Sequence, residues 1–334
     1  MRAVVLVGGF GTRLRPLTLT RPKQMLPILH RPMIEHVIEH LGRYGIEEAV
    51  LSMGYRPDAF IEAWPDGLCA GVKLHYAVEP EPLDTAGAIR FAALDAGIAD
   101  RFLVANGDVL TDLDIGSLIA FHDTRGAEAT IALHRVEDPS AFGVVPTDEI
   151  GCVKAFVEKP PRLEAPTDLI NAGTYVLEAA ALDRIPDGRK VSIERETFPA
   201  MADDDVLFAL AGDAYWIDAG TPAQYLRAQM DMIDGLRGPH PDGVSLAACV
   251  SPEATVERSV IGSGAVIGRG AVVRSSVVMP GSFVGEGAEL TDAVIGADAR
   301  VEAGAIVGGL TVLGDGVRAE PGERLHGERR PQEA

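Results

Sequence analysis

Cysteine is nearly missing from this chain: three in 334 residues, Cys69, Cys152 and Cys249, odd in number and far apart. That pattern excludes a disulfide framework and offers no zinc spacing. Free thiols fit a reducing, cytoplasmic setting. Positive charge is also short. Against 49 Asp and Glu stand 30 Lys and Arg, a formal net charge of −19, which argues against a nucleic-acid or anionic-membrane surface. A phosphorylated substrate would need local cations or a metal to offset that field. No apolar run approaches the roughly 20 residues of a membrane span. The chain runs from Met1 directly into an apolar strand, so no signal peptide is expected. What the sequence does have is length for two full cores and an ordinary 47% hydrophobic and 24% charged content.

The most informative stretch lies near the N-terminus. Ala3-Val4-Val5-Leu6-Val7 reads as a buried parallel strand. Gly8, Gly9 and Gly11 follow, leaving the backbone free to adopt positive φ and approach a ligand. Backbone N–H groups in such a loop form a concave anion site, to which Thr12 adds a hydroxyl donor. Arg13 supplies a guanidinium fork and Lys23 a point charge, the cations a triphosphate requires. The plain alternative is a strand-to-helix turn with two surface cations. Neither generic phosphate motif fits: no Gly-Lys-Ser/Thr follows, and Leu14 stands where a Rossmann fingerprint has its third glycine.

Further along, Ile34, Val37, Ile38 and Leu41 recur at helical spacing, with His36 and His40 expected as solvated residues of that helix. Strands are expected at 49–55, 72–78, 101–105, 129–136 and 170–176, with helices between several of them. That alternation predicts a mostly parallel, doubly wound α/β sheet. Asp84 or Thr85 reads as the N-cap of a helix. Asn106-Gly107-Asp108 falls at the carboxyl end of a strand, where ligands bind in open α/β sheets. Phe142–Val145 and Val153–Val157 read as a hairpin closed by Glu158-Lys159-Pro160, a pair that taken alone is a surface ion pair. Ser192 reads as a helix cap, and a helix is expected to begin near Pro222, after Trp216-Ile217-Asp218-Ala219-Gly220.

Taken as a unit, Gly-Gly-x-Gly-Thr-Arg-Leu-Arg-Pro-Leu-Thr-(x)3-Pro-Lys, from Gly8 to Lys23, resembles the signature of the sugar-1-phosphate nucleotidyltransferases. Asn106-Gly107-Asp108, Phe-Val-Glu-Lys-Pro at 156–160, Asn-Ala-Gly-x-Tyr at 171–175 and Trp-x-Asp-x-Gly at 216–220 match further elements of that family in the same order. The resemblance implies a Rossmann-like nucleotide-diphospho-sugar transferase fold. It implies that Gly8, Gly9, Gly11, Thr12, Arg13, Lys23, Asp84, Thr85 and Gly107 bind the nucleotide, with Arg13 and Lys23 steadying its phosphates. Asn106, Glu158, Lys159, Asn171 and Gly173 would hold the sugar phosphate, Lys159 gripping its phosphate. Asp108 and Asp218 would bind Mg²⁺, hard oxygen ligands for a hard cation. One departure stands out: Asp84 occupies a position where the family usually has glycine. As a ligand, its carboxylate would accept from a donor edge such as guanine N1/N2. Within the family the likeness favours members that use GTP and mannose 1-phosphate. Thymidylyl, uridylyl and adenylyl transfer to glucose 1-phosphate, or transfer to a cyclitol phosphate, stay open.

Beyond a Gly/Pro-rich break at 235–243 the pattern changes. Val260, Val266, Val272, Val278, Val284 and Leu290 recur every six residues, and after a one-residue slip Ile295, Val301, Val307 and Leu313 do the same. This is the signature of a hexapeptide parallel β-helix, whose coils stack in a quasi-one-dimensional core. The left-handed form is expected. The division expected from sequence is a catalytic domain at 1–235, a linker at 236–245, a β-helix at 246–318 and a polar, frayed tail at 319–334. Hexapeptide helices also occur in acyltransferases, but no histidine lies between His240 and His326 to serve as base. A β-helix serving homo-oligomerisation is the better fit. A non-catalytic regulatory homologue would have lost cations or carboxylates, yet Arg13, Lys23, Asp108, Lys159 and Asp218 are all present.

Overall fold

The computed structural model describes residues 1–54, 57–238 and 241–331. Tyr55 at the end of the expected second strand, and Pro239-His240 in the Gly/Pro-rich break, lie outside these. The chain forms two compact units that do not follow its linear order. One joins Met1–Gly9 to Ile34–Trp216; the other joins Phe10–Met33 to Ile217–Ala334.

The first unit is built on a mixed ten-stranded sheet. Its centre is parallel: Arg2–Leu6 lies between Glu48–Met53 and Phe102–Asn106, and Val72–Val78 extends the row beyond Glu48–Met53. The first three of these short strands are buried on both sides, as parallel strands between helix layers must be; Val72–Val78 is only partly covered. Val4, Val50 and Val104 share a core with Ile89 and Ala92 of the Asp84–Asp95 helix. Ala105, one residue on, instead faces a small apolar space shared with Val37 and Leu41 of the Met33–Arg43 helix. Helices thus cover both faces, the doubly wound arrangement expected. The sheet departs from parallel at Leu169–Leu177, which runs antiparallel to both Phe102–Asn106 and Ala129–Arg135. Gly143–Val144 and Val157–Glu158 form the expected antiparallel pair beside it.

His36 and His40 correct the sequence reading. Both are buried rather than solvated. His40 Nε2 lies 3.0 Å from the Leu113 carbonyl, and its ring meets Tyr44 edge-on. The segment that follows the Phe102–Asn106 strand covers the helix face that periodicity assigns to water.

In the second unit, three five-stranded parallel sheets wind together as a left-handed β-helix. Its register departs from the six-residue reading in the first coil only. Val250, Ile267, Val284 and Val301 stack at intervals of 17 residues, and Ala319 follows after 18. One side of each 17-residue coil is therefore a residue short, and the slip recurs until the 18-residue coil that follows Val301. In the first coil the inward positions are Ile261, Ile267 and Val273, one residue past the expected row, and Val266 is 38% exposed; from Val278 onward the expected residues Val278, Val284, Leu290, Ile295, Val301, Val307 and Leu313 do face inward. Nor does the helix end at 318. Arg324–His326 and Arg329–Arg330 pair with the preceding coil, and Leu325 is buried. Of the tail expected to fray, 319–334, the described residues to 331 complete a coil instead, and 332–334 lie outside the described residues.

Also in this unit, the Pro222–Ile233 helix starts where expected, capped by the Thr221 hydroxyl, which accepts from Gln224 N. It grips the N-terminal segment: Tyr225 Oη and Gln229 Nε2 donate to the Pro27 carbonyl at 2.5 and 2.6 Å, and Leu29 N donates to Gln229 Oε1 at 2.7 Å.

Candidate active site

In the first unit the site elements gather at the carboxyl edge of the parallel strands. Leu6 is in register with Asn106, and Gly107 N donates to the Leu6 carbonyl at 2.9 Å. Position 107 has no room for a side chain, because a Cβ would meet Val7 Cγ1 at 2.9 Å and the Leu6 carbonyl at 3.0 Å. This close approach sets Gly8, Gly9 and Asp108 at one sheet edge. Gly9 has φ +94°, the freedom its residue type provides. Asp108 is nearly buried.

Asn106 also meets the neighbouring strand. Gly173 has φ +75°, and a Cβ there would fall 2.5 Å from Asn106 Nδ2. Asn171 Oδ1 accepts from Gly173 N at 2.9 Å, and its Nδ2 donates to Tyr175 Oη at 2.8 Å. Pairing between Leu169–Leu177 and Ala129–Arg135 shifts register across this stretch, a bulge that re-aims side chains at a sheet edge. Tyr175 is fully buried, and burial pushes its phenol far above the ordinary range, so it serves as a neutral hydrogen-bonding post. Trp216 braces the same strand, its Nε1 donating to the Ala172 carbonyl at 2.9 Å while its ring stacks on His134. Burial lowers the His134 pKa, with Asp213 opposing. Glu158 and Lys159 form the ion pair that sequence alone suggests, Nζ to Oε1 at 2.7 Å, yet Lys159 sits at φ +49°. A non-glycine residue in the left-handed region carries strain of the kind found at functional sites.

The 79–85 segment follows the Val72–Val78 strand at the same edge. Glu79 braces it, accepting from Ser52 Oγ at 3.2 Å and Leu83 N at 3.0 Å. Asp84 does not cap the helix in the ordinary way. Its carboxylate accepts from Thr85 N at 2.8 Å, it is exposed, and its φ is +61°. Thr85, expected to bind the nucleotide, also has a place inside the fold. Its hydroxyl donates to Glu194 Oε2 at 2.7 Å and accepts from Ile193 N at 2.8 Å, tying the helix start to the turn capped by Ser192.

In the second unit Gly11 has φ +59° and starts the turn Thr12–Leu14. A Cβ at Gly11 would meet Thr18 Cγ2 at 3.0 Å and Lys23 Cβ at 3.2 Å. The Thr18 hydroxyl donates to the Gly11 carbonyl at 2.8 Å, closing the loop on itself. Leu14 and Leu17 are fully buried and anchor it. Arg13 is left mostly exposed, with Nη2 3.8 Å from Asp218 Oδ2, while Asp218 Oδ1 accepts from Gly220 N at 2.9 Å. Arg13, Lys23 and Asp218 thus belong to one unit; Asp108, Glu158 and Lys159 belong to the other.

Among the described residues no group of three or more His, Cys, Asp or Glu could hold a metal. The donor chemistry still fits Mg²⁺. Asp108 and Asp218 offer hard oxygens, and this ion is commonly held by one or two carboxylates, with waters and substrate phosphates completing its octahedron. Sequence reasoning missed Gln24, beside Lys23. It is fully buried, and neither its amide nitrogen nor its oxygen has a partner among the described residues. A polar residue inside Lys-Gln-Met-Leu was its one signal.

Residues 2–235 match the nucleotidyl transferase family, and residues 243–329 match the GMPPB C-terminal domain. A mannose-1-phosphate guanylyltransferase from Mycobacterium tuberculosis is 44% identical over 278 residues, covering 79% of this chain and 75% of that protein. One from Schizosaccharomyces pombe is 40% identical over 271 residues, covering 78% and 74%. Among solved structures, HddC from Yersinia pseudotuberculosis complexed with GMP-PN is 31% identical with a TM-score of 0.58, covering 68% of this chain and 97% of that one. A putative glucose-1-phosphate thymidylyltransferase from Bacillus anthracis is 26% identical with a TM-score of 0.62, covering 69% and 94%.

Proposed function

The chain belongs to the nucleotidyl transferase family, and from that premise we propose that it joins GTP to mannose 1-phosphate, giving GDP-mannose and pyrophosphate. The attacking group is a phosphate oxygen of the sugar phosphate. Its second pKa is about 6, so it is largely ionised at neutral pH and needs no general base. It forms a bond to the α-phosphorus of the triphosphate as the α–β bridging bond breaks. The electron pair leaves on pyrophosphate. Catalysis then rests on alignment and charge neutralisation. Gly8, Gly9 and Gly11 offer backbone donors to the triphosphate; Arg13 and Lys23 neutralise its outer phosphates. Lys159, steered by Glu158, receives the attacking phosphate, while Asn106, Asn171 and Gly173 orient the sugar. Asp108 and Asp218 are the residues that would hold Mg²⁺, which when bound supplies further neutralisation at the phosphates.

The observation that carries this reading is the register of Arg2–Leu6 against Phe102–Asn106, which puts the glycine loop and Asp108 at the same sheet edge. GTP and mannose 1-phosphate come from the activities named for the relatives. No helix among the described residues is long and apolar enough to cross a membrane; a cytoplasmic place and assembly through the β-helix belong to the proposal. Its test is pyrophosphate release with Mg²⁺ across a panel of nucleoside triphosphates, crossed with mannose 1-phosphate and glucose 1-phosphate. Fastest turnover with GTP and mannose 1-phosphate is expected. A different preferred pair would move the substrate and keep the chemistry; silence across the panel would overturn the reading.

A further inference from the structure

We propose that the last coils of the β-helix position the phosphate loop, and that Asp315 is the positioning residue through which they do so. Asp315 sits in the turn after the Val312–Leu313 strand. Its Oδ2 accepts from Thr20 Oγ1 at 2.5 Å and from Arg21 Nη2 at 2.6 Å. Its Oδ1 accepts from Ala297 N, one coil earlier, at 2.8 Å. The Asp315 side chain is 14% exposed and that of Arg21 30%. The carboxylate is therefore largely withdrawn from water, held by the β-helix through one oxygen and holding the loop through the other. Two further contacts join the same elements. Arg329 Nη1 donates to the Arg13 carbonyl at 3.2 Å, and a Cβ at Gly314 would meet Pro16 Cβ at 3.0 Å, so coil and loop backbones lie close together.

The location of these ties gives them a consequence beyond packing. Thr20 and Arg21 stand between Arg13 and Lys23, the cations assigned to the triphosphate, and Arg21 is two residues from Lys23. The loop has internal bonds, Thr18 to the Gly11 carbonyl, Leu19 N to the Pro16 carbonyl and Met25 N to the Pro22 carbonyl, and between the last two Asp315 ties the Thr20 and Arg21 side chains from outside. A displacement of about 1 Å in a positioning group can cost on the order of a hundredfold in rate. The stacked coils are a rigid scaffold on which to hang such a loop. The link to triphosphate binding rests on the proposed function; the mechanical tie does not.

Asp315→Asn is the decisive variant. It is isosteric and can keep an acceptor for Ala297 N, but it turns an amide donor toward Thr20 and Arg21. The expected result is a rise of at least tenfold in KM for the nucleoside triphosphate, KM for the sugar phosphate within twofold, and an unchanged thermal midpoint. Amide hydrogen exchange across residues 12–23 should speed up in the absence of substrate. Exchanging the charges, Arg21→Asp with Asp315→Arg, should recover part of the lost affinity. Unchanged loop exchange, or an equal loss toward both substrates that follows the thermal midpoint, would overturn the proposal. If no triphosphate in the panel is turned over by the unaltered protein, the functional reading fails and hydrogen exchange alone decides the tie. Should Asp315→Asn not fold, Thr20→Val, which removes a single bond, carries the same readouts.

Discussion

At the scale of single residues, Asp84 is where sequence and structure pull apart most usefully. As a helix cap it would need no ligand, and capping was the plainer sequence reading. The structure weakens that reading, because the carboxylate reaches no further than the neighbouring Thr85 N while the backbone is held at φ +61°. Glycine would adopt that conformation freely; aspartate tolerates it at some cost. A carboxylate kept there, exposed and at the carboxyl edge of the strands, suits the donor face of guanine. Hydrogen bonds to a charged group contribute about 1.5–3 kcal/mol. Asp84→Gly should therefore lower the GTP-over-ATP ratio of kcat/KM by about ten- to a hundredfold, with stability changed by less than about 1 kcal/mol. Steady-state kinetics with both nucleotides checks this, and an unaltered ratio would return Asp84 to a purely local role. Other residues were legible to different degrees. The spacing of Gly11 and Lys23 spoke for itself, because the same motif brings them into contact. The side-chain bonds of Thr85 and the burial of Gln24 did not, since both depend on partners distant in sequence.

At the scale of elements, the strands and helices of the α/β sheet were visible in their periodicity, while the faces they bury were less so. The Met33–Arg43 helix shows why. Its apolar stripe reveals one packed face, but nothing in it reveals that a later segment covers His36 and His40 as well. The β-helix teaches the same lesson in register. A run of valines every six residues looks like an inward row, yet coils of 17 residues put Ile267 inside and leave Val266 at the surface. Swapping a buried isoleucine for alanine costs about 2–5 kcal/mol, and surface changes stay within about 0.5. Ile267→Ala should accordingly lower the denaturation midpoint sharply and Val266→Ala leave it almost unmoved; the reverse order would restore the six-residue register. A second element-level prediction concerns pH. His122, on the Ile115–Arg125 helix, is fully buried against Thr130 Oγ1 at 2.8 Å and Glu178 Oε1 at 3.2 Å. Burial lowers its pKa, with the Glu178 hydrogen bond only partly opposing. The unfolded chain then binds the proton more readily than the folded one below the ordinary value of about 6.5. The stability contributed by neutral His122 is thus present above that value and is lost as pH falls toward the folded pKa, by up to about 1.4 kcal/mol per pH unit. Denaturant unfolding from pH 7.5 to 5 should show a flatter profile for His122→Gln than for the unaltered protein.

For the whole molecule, the sequence suggested a linear order of catalytic domain, linker, β-helix and tail. The two family matches, 2–235 and 243–329, follow that order, but the compact units cut across it, because Phe10–Met33 groups with Ile217–Ala334. Local patterns could not show this, because the bonds that fix it span two to three hundred residues, as Tyr225 to Pro27 and Arg21 to Asp315 do. The same blindness made residues 319–334 look like a frayed tail. Polar composition was the evidence for fraying, but in a β-helix each coil needs few inward residues, and Ala319 and Leu325 supply them here. Ending the chain after Ala319 would remove the strands that pair with Ile306–Gly308 and Val312–Leu313. It would also lose the burial of Leu325, about 1.5–3 kcal/mol alone, and leave the apolar Ile306–Gly308 and Val312–Leu313 as edge strands in place of the Arg-bearing last two, which invites association. The Arg329 bond to the Arg13 carbonyl would go with it. We expect the truncated protein to melt several degrees lower, given about 2–4 °C per kcal/mol for a domain of this size, and to associate on size-exclusion chromatography. A frayed tail would predict neither change. An unaltered melting curve and elution volume would therefore show that the final coil contributes no stability, and that the β-helix is closed by Val312–Leu313 and the turn carrying Asp315.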